Sequence, residues 1–331
     1  MHFTSPPEQY LQTNSMVLES MNFKQSGREL ATANAIWLDK AVILKPEYRA
    51  DVTVHAKAGI RQADFQNAHE PARIEINRWV EDVTHDRIKD LLASNAVNSA
   101  TRAVLVNVIY WKGTWKAPFL EQATMREPFT KLDGGQQETR LMHRSASFQL
   151  TERGGVKAIL LPYTGGEMDM AIFLPNSPKD LPTFEARLDQ KELNRWLTDL
   201  GDQPFRPTIL TLPRMHLEWR GDLKGTLRQM GLKAPFEPGA DFSRMAEPLE
   251  DGVLGFEEII HKTFLDVEEK GAEAAAATAV IQTTVTSAPP GPPPPPPFVF
   301  RADKPFLFLL HNRRTGLIVF MGRYVAPPEG E

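Results

Sequence analysis

The stretch that most constrains this chain is residues 265–286, with the sequence LDVEEKGAEAAAATAVIQTTVT. A charged turn leads into a run of four alanines, and alanine favours a helix. The residues after them, from 280 to 286, are mostly β-branched and favour a strand. A proline-rich segment comes next, so nothing in the sequence anchors the stretch on that side. We therefore expect a segment that is exposed in one state of the protein and a sheet strand in another.

The order of side chains along this stretch is compatible with a strand that enters a sheet. Side chains alternate between the two faces of a strand, and a buried carboxylate without a partner is costly. If Glu273 therefore points outward, the side chains that point inward are all small or apolar: Ala272, Ala274, Ala276, Thr278 and Val280. Composition alone leaves a second interpretation open, in which the stretch is a flexible alanine-rich linker.

Composition places limits on the kind of protein. The 331 residues, 41 % of them hydrophobic, suffice for a substantial core in one large domain or two ordinary ones. The net charge of −4 gives no reason to expect a nucleic-acid partner. The absence of cysteine removes disulfides and thiolate chemistry. No run of about 18 apolar residues predicts a membrane span, and the N-terminal sequence MHFTSPPEQY has no signal-peptide pattern.

The first third of the chain combines helical and strand patterns. Helices are predicted over about residues 8–21, 46–55 and within 70–92, and a strand over 30–38. Pro71 fits the first turn of the third helix. Residues 101–115 are nearly continuously apolar, as in a central strand that is covered on both faces. Asn107 interrupts this run, and because a buried amide needs partners, it predicts a polar network beneath the sheet.

Strand patterns dominate the rest of the chain. Three runs separated by Gly-Gly pairs predict a meander, around 142–150, 156–161 and 168–174. Further predictions are a helix around 193–200, a strand over 209–219 with Pro213 at its centre, a helix over 222–231 capped by Asp222, and a strand over 256–269. Glu269 ends a largely apolar stripe on that last strand and needs a cationic partner. Residues 289–297 are expected to be extended polyproline II. Two apolar strands joined by a polar turn at 312–316 come last.

No pattern in the sequence predicts catalysis. The chain lacks a G-x-S-x-G elbow, an HExxH motif and cysteine. Its eight histidines are scattered without metal-ligand spacing. We therefore expect that the chain is not an enzyme and that it has no cofactor and no metal site. The six-proline run at 292–297 could bind an SH3 or WW domain, although a stiff spacer is the simpler interpretation.

Several segments, in the right order, resemble the serpins, the serine protease inhibitors, of the prokaryote type. The match is clearest at EEKGAEAAAATAV, which resembles the reactive-loop hinge of that family. The other segments are ARIEINRWVEDVTHDRIKDLL, TRAVLVNVIYWKGTW, LPYTGG with MAIFLPN, and FVFRADKPFLFLLHNRRTGLIVFMGRYVAPP. The resemblance implies an α+β fold in a single domain over residues 1–331. That fold has one large, mainly antiparallel sheet, two smaller sheets, surrounding helices, and an exposed reactive loop over about 271–290.

The resemblance also implies inhibition of a serine protease by a suicide-substrate mechanism. The target attacks the loop and forms an acyl-enzyme, and the cleaved loop then inserts into the main sheet as a new strand. About 15 inserted residues at about 3.3 Å each would carry the acyl bond roughly 50 Å. Rapid insertion needs a hinge of small, unbranched residues. The residues matched to it are Glu269, Gly271, Ala272, Glu273, Ala274, Ala275, Ala276, Ala277 and Thr278.

The reactive bond is located by counting along the family pattern. The family's usual spacing from Glu269 gives Val285–Thr286, and counting back from the SAPP exit gives Thr286–Ser287. We favour Val285, with one residue of latitude on either side, so that Thr284 and Ser287 are the alternatives. Valine fits a small apolar primary pocket, so an elastase-like or subtilisin-like serine protease is the expected partner. No Arg or Lys lies between residues 271 and 298, which argues against trypsin-like targets.

Two further groups of residues carry over from the family pattern. Asn107 and His261 match a buried polar pair of the family. This pair lies beneath the main sheet at the place where the sheet opens to receive the loop, and we call it the gate. Trp115, Arg214 and Glu269 match residues at the top of the gap that receives the loop. Without the resemblance, His261 would be an ordinary core histidine. Arg214 and Glu269 would be two surface charges, worth about 0–1 kcal/mol if paired.

The sequence departs from the family at its N-terminus. Serpins carry an additional N-terminal part of several tens of residues with three helices and one core strand, whereas His2 and Phe3 already resemble the stretch after those helices. We therefore expect an N-terminally truncated serpin that is unstable in this form, while its full-length parent inhibits. A non-inhibitory serpin with a binding or chaperone-like role, or an inactive remnant, are the alternatives. The expected partner is a protease rather than a nucleic acid or a membrane, the expected state a monomer, and the expected location extracellular or the cell envelope.

Overall fold

The computed structural model describes residues 7–25, 27–55, 59–237, 239–250, 254–256, 258–272 and 295–328. Its α-helices are α1 Pro7–Ser20, α2 Pro46–His55, α3 Phe65–Val83, α4 Leu181–Arg187, α5 Gln190–Gly201 and α6 Lys224–Gln229. Its strands are β1 Phe23–Gln25, β2 Arg28–Asp39, β3 Gly59–Ala63, β4 Ala103–Thr114, β5 Met125–Thr130, β6 Gln136–Arg153, β7 Val156–Pro162, β8 Met168–Pro175, β9 Phe205–Pro213, β10 Met215–Asp222, β11 Glu258–Val267, β12 Gly271–Ala272, β13 Phe298–Arg301, β14 Phe306–Asn312 and β15 Ile318–Tyr324. Short 3-10 helices lie at Glu121–Ala123, Pro178–Asp180 and Ala234–Phe236.

The described strands form two sheets. The first has the order β1-β2-β4-β11-β10, with β3 paired to β2 and β12 paired to β4. The second has the order β13-β9-β6-β7-β8-β14-β15, with β5 paired to β6. The two smaller sheets expected from the sequence run together here, because the 18-residue β6 pairs with β5, β7 and β9 along its length. This mixture of sheets and helices confirms the predicted α+β class.

The central strands β4 and β11 of the first sheet are parallel neighbours. They are in register from Val104 opposite Glu258 to Tyr110 opposite Phe264. We call this boundary the seam. Any further strand placed between two parallel strands can pair antiparallel with both of them, so the seam is the feature of this sheet that matters for strand insertion.

Contacts divide the chain into two compact units, residues 1–111 with 217–265 and residues 112–216 with 266–331. The first unit buries the apolar side of α3 against β2, β3, β4 and β11. Ile76 and Val80 of α3 are fully buried there, and the ring of Trp79 meets that of Trp37 edge-on at 6.0 Å. This packing fits the helical spacing of apolar residues in α3.

The second unit packs α4 and α5 on one face of the second sheet. Trp196 of α5 contacts Phe173 of β8 edge-on, with ring centroids 5.6 Å apart. Strands β7, β8 and β14 supply most of the remaining core. β8 is buried at every position, which is expected for a strand in the middle of a sheet whose two faces are covered.

Most of the predicted elements are confirmed to within a few residues. They include α1, α2 and α5, the strand at 30–38, the meander β6–β7–β8, and the C-terminal hairpin β14–β15 with its polar turn. Helix α3 overlaps the predicted region of residues 70–92 but begins before it, at Phe65, and ends at Val83. Its backbone is non-helical at Ala68, so Pro71 lies in the first turn of the part after this kink.

One predicted strand is wrong. Residues 209–219 form the end of β9 and the start of β10, and these two strands belong to different sheets. Pro213 is the last residue of β9 and Arg214 has no strand assignment. Proline cannot donate a ladder hydrogen bond, so the apolar pattern continues through a point where the chain leaves one sheet for the other.

The expectation that β4 is covered on both faces is also wrong for the part of the chain that the structure describes. Val104, Val106 and Val108 are buried, whereas Leu105, Asn107 and Ile109 between them are only half-buried. β11 shows the same asymmetry, with Ile260, Lys262 and Phe264 on its buried side. The predicted stripe through Ile259 and His261 therefore lies on the less covered face and becomes fully buried only from Leu265 onward.

Candidate functional site

The end of β11 turns sharply at residues 268–271, which we call the hinge turn. The backbone of Glu268 and that of Gly271 exchange two hydrogen bonds, of 3.1 and 3.0 Å. Gly271 and Ala272 then pair antiparallel with Thr114 and Gly113 at the end of β4. The first residues of the hinge therefore already form a short strand on β4.

Gly271 is required by the backbone at this place. Its φ is +125°, a conformation that other residues rarely adopt. A Cβ atom built on it would lie 2.0 Å from the carbonyl oxygen of Gly113 and 2.8 Å from the backbone nitrogen of Trp115. The close approach of two backbones thus needs a residue without a side chain.

Glu269 is buried within the hinge turn and is paired. The guanidinium of Arg214 approaches its carboxylate at 2.7 Å, and the Arg214 Nε donates to the same carboxylate at 2.8 Å. The hydroxyl of Thr124 donates to Glu269 Oε1 at 2.5 Å. Burial by itself would raise the pKa of Glu269, but the hydrogen bonds from Arg214 and Thr124 outweigh burial and leave the pKa below its usual value. The carboxylate is therefore charged at neutral pH.

Trp115 holds the backbone of the hinge turn. Its indole Nε1 donates to the carbonyl of Glu268 at 2.9 Å, and its backbone N–H donates to the carbonyl of Lys270 at 2.8 Å. The backbone N–H of Phe119 donates to the carbonyl of Glu269 at 2.7 Å. Three successive carbonyls are thus satisfied by one short stretch of chain, which fixes the direction in which the hinge leaves β11.

Tyr163, Phe119 and Thr124 belong to this site, and no pattern in the sequence identifies them as part of it. The ring of Tyr163 stacks on that of Trp115, with centroids 4.1 Å apart. Phe119 and Thr124 lie in the irregular connection between β4 and β5, where there is no periodicity to guide a prediction. Tyr163 follows the predicted meander strand over 156–161, in LPYTGG, but an aromatic residue in that position does not indicate which residue it contacts.

Asn107 and His261 lie side by side on the seam. They are register partners on β4 and β11, and the Asn107 side-chain amide donates to Asn34 Oδ1 on β2. Burial lowers the pKa of His261, and a hydrogen bond with the backbone of Asn107 opposes that shift only in part. Among the described residues, His261 Nδ1 has no hydrogen-bond partner. The structure therefore brings Asn107 and His261 together. The imidazole of His261 is neutral, and Asn107 is hydrogen-bonded to Asn34.

The remaining site residues predicted from the sequence lie outside the described residues. They are Glu273, Ala274, Ala275, Ala276, Ala277 and Thr278 of the hinge, and Thr284, Val285, Thr286 and Ser287 around the reactive bond. In the described ranges, no three His, Cys, Asp or Glu side chains are placed to hold a metal ion. No helix in the same ranges is long and apolar enough to cross a membrane.

Comparison with known proteins gives one consistent result. The family model described as "Serpin (serine protease inhibitor)" matches residues 1–327. Human serpin B3 is 34 % identical over 313 residues, covering 94 % of this chain and 78 % of that protein. Human leukocyte elastase inhibitor is 33 % identical over 333 residues, covering 98 % and 85 %. A crystal structure of human thyroxine-binding globulin superposes with a TM-score of 0.85 at 25 % identity, covering 99 % of this chain and 84 % of that one.

Proposed function

Because the chain belongs to the serpin family, we propose that it inhibits a serine protease as a suicide substrate. The protease serine attacks the carbonyl carbon of Val285 in the loop over about 271–290. A serine–Val285 ester forms, the Val285–Thr286 peptide bond breaks, and a proton passes to the released Thr286 amine. The loop then enters the seam as an antiparallel strand before water can hydrolyse the ester.

The observation that carries this proposal is the pairing of β12 with β4. Gly271 and Ala272 lie antiparallel to Thr114 and Gly113, and a strand that keeps this direction can pair antiparallel with both β4 and β11. Continued pairing along β4 would place the next hinge residues beside the seam. Insertion therefore extends a ladder that has already begun, without the cost of starting a new one.

The residues around the hinge turn have distinct roles in this proposal. Trp115 and the Arg214–Glu269 pair fix the point at which the loop leaves β11, so that insertion starts from a set register. Asn107 and His261 are register partners on the seam and would have to separate as the loop arrives. A neutral His261 with an unpartnered Nδ1 leaves little polar pairing to break there.

We also propose that the target has a small apolar primary pocket of the elastase or subtilisin kind. Val285 matches such a pocket, and no lysine or arginine is present from residue 272 to 297. A relative named leukocyte elastase inhibitor covers almost the whole chain, which supports the same class. Replacement Val285→Arg should move inhibition toward trypsin-like proteases, because their pocket accepts a cation.

The proposal is tested by mixing the purified chain with an elastase-type and a subtilisin-type protease and separating the products on denaturing gels. We expect a band at the summed mass that survives boiling. Ala274→Arg and Ala275→Arg provide a matched pair of variants, because the parity of the hinge places residue 274 inward and residue 275 outward. The first variant should be cleaved without trapping the protease, whereas the second should still trap it.

Other outcomes would contradict parts of the proposal. A new N-terminus outside residues 285–287 after cleavage would refute the reactive bond. Cleavage near Val285 without a stable complex and without a gain in heat stability would instead support a non-inhibitory serpin. Equal trapping by the Ala274→Arg and Ala275→Arg variants would contradict insertion with the predicted parity.

A further inference from the structure

The connection between α3 and β4, residues 84–102, has a fixed shape although it contains no helix or strand. Four of its non-glycine residues have positive φ: His85, Asp86, Asp90 and Asn95. Such conformations are unfavourable and persist only where surrounding contacts hold them. Ile88, Leu91, Leu92 and Val97 of this connection are completely or almost completely buried in the core beneath α3.

Helix α3 holds one side of this connection. The amide of Asn77 accepts from the backbone N–H of Leu92 at 2.7 Å and donates to the carbonyl of Leu92 at 3.0 Å. Arg73 donates to the same carbonyl at 2.7 Å. Since the connection also runs directly into β4, it is fixed to the part of the unit formed by α3 and β4.

Two cations hold the same connection from the other side of the seam. Lys262 of β11 donates from Nζ to the carbonyl of Lys89 at 2.8 Å. Arg220 of β10 donates from Nε to the carbonyl of Leu91 at 2.7 Å. Lys262 is only 8 % exposed, which is unusual for a lysine. Its ammonium lies 3.6 Å from Glu218 of β10.

We infer that Lys262 and Arg220 form a closure tether, two charged hydrogen bonds that keep the seam shut. This inference rests on the proposed insertion of the loop. A strand that enters the seam moves β11 and β10 away from β4 by about 4.8 Å, one strand spacing. Hydrogen bonds of 2.7–2.8 Å cannot survive such a displacement. Both bonds therefore exist in the closed sheet and are lost once the loop is inserted.

The tether sets how often an attacked loop traps its protease. Insertion competes with hydrolysis of the acyl-enzyme, so whatever delays the opening of the seam favours release of active protease. Removing the tether should accelerate opening and increase the trapped fraction. The same change should make the closed sheet less stable, because two hydrogen bonds from charged donors are lost.

The tether is tested by amide hydrogen exchange on the unreacted chain. Lys262→Met and Arg220→Met keep the apolar stem and remove only the charged donor. We expect exchange of the facing amides of β4 and β11 to rise at least about tenfold in either variant, since a hydrogen bond from a charged donor is worth more than a neutral one. Amides in β7 and β8 should be unaffected. Lys89→Met is the matched control, because the exposed Lys89 contributes only its backbone carbonyl to the tether.

The results separate the tether from the inhibitory function. Unchanged exchange across the seam in both Lys262→Met and Arg220→Met would overturn the tether, whatever the gels show. Faster exchange with no trapped protease in any variant would retain the tether and contradict suicide inhibition. Faster exchange with a larger trapped fraction than in the unaltered chain supports both. Equal acceleration by Lys89→Met would show that surface charge alone is responsible and would also overturn the tether.

Discussion

The hinge turn requires a residue without a side chain at position 271, which is occupied by glycine. We expect Gly271→Ala to disrupt the pairing of β12 with β4, because its φ is +125° and the nearest obstacle is the backbone of Gly113. A backbone, unlike a flexible side chain, cannot rotate away. The free energy of unfolding should fall by about 1–3 kcal/mol, measured by urea denaturation. Exchange of the amides of residues 113–115 should accelerate.

Gly225 is the matched control for this substitution. It lies within α6, has no atom within 4 Å of an added Cβ and does not have a positive φ. Gly225→Ala should raise the free energy of unfolding by about 0.5–1 kcal/mol, since alanine is the better helix former. Changes of the same sign at the two positions would contradict the conformational argument for Gly271.

The stability contributions of Arg214 and Glu269 should be coupled, because the two side chains form a partly buried ion pair. The Glu269 side chain is 4 % exposed and that of Arg214 is 28 % exposed. Arg214→Met should therefore cost about 3 kcal/mol, because it leaves a buried carboxylate without its cation. Glu269→Gln should cost less, since the half-exposed guanidinium can reach water. The double variant should be more stable than the sum of the two losses predicts, by about 1–3 kcal/mol. Strictly additive losses in urea denaturation would refute the coupling.

At the scale of elements, one buried carboxylate joins the end of β2 to the start of α3. Asp39 Oδ2 accepts from the backbone N–H groups of Phe65 and Gln66 at 2.9 and 3.1 Å, and Oδ1 accepts from Ala41 at 3.0 Å. Asp39 is 2 % exposed. Asp39→Ala should therefore destabilise the chain by about 3 kcal/mol or more, because the buried N–H of Phe65 and the part-buried N–H groups of Gln66 and Ala41 lose their carboxylate acceptor together.

Asp64 provides the comparison for Asp39 at the same helix. It caps α3 by accepting from the backbone N–H of Asn67 at 2.9 Å, but it is more exposed to water. Asp64→Ala should cost clearly less than Asp39→Ala in chemical denaturation, since water can replace the lost acceptor. An equal loss for the two variants would contradict the role assigned to burial.

Local patterns predicted those elements whose neighbours in space are also neighbours in sequence. The hairpin β14–β15 is predicted by two apolar runs and a polar turn, and the meander by its Gly-Gly pairs. The continuous apolar pattern of residues 209–219 failed, because nothing local shows that the chain changes sheets after Pro213. Likewise, Asn107 signalled a polar network, but its partner Asn34 lies 73 residues away and has no pattern of its own.

In the candidate site too, local patterns indicated some residues and missed those that reach the site through long-range contacts. The alternation of small residues and the position of Glu269 pointed to the hinge, and Glu269 does have a cationic partner in Arg214. Thr124 and Tyr163 could not be found, because each reaches the site through a long-range contact, 145 residues from Glu269 in the case of Thr124. The same holds for the tether, since only the fold places a buried lysine against a backbone carbonyl 173 residues away.

At the scale of the whole molecule, the buried His311 and the half-buried His261 determine how stability responds to mild acid. Burial lowers the pKa of His311, opposed by the charge of Asp169, and burial likewise lowers the pKa of His261. The ordinary value is 6.5. Below that pH the two histidines bind protons in the unfolded chain but remain neutral in the folded chain. The free energy of unfolding therefore falls as the pH decreases. The stabilisation is fully present above pH 6.5 and is lost as the pH falls through the two folded-state pKa values.

This response predicts a pH dependence that a double variant should remove. The free energy of unfolding should decrease from pH 7.5 to 5.5, by at most about 1.4 kcal/mol per pH unit for each histidine. In His261→Gln/His311→Gln the decrease should be much smaller, because neither site can bind a proton in the unfolded chain. A second decrease should persist in that variant below pH 4.5, where Glu127 and Glu269 are protonated in the unfolded chain but remain charged in their pairs. An unaltered slope between pH 7.5 and 5.5 in the double variant would mean that neither histidine governs the response and that other groups of the chain bind those protons.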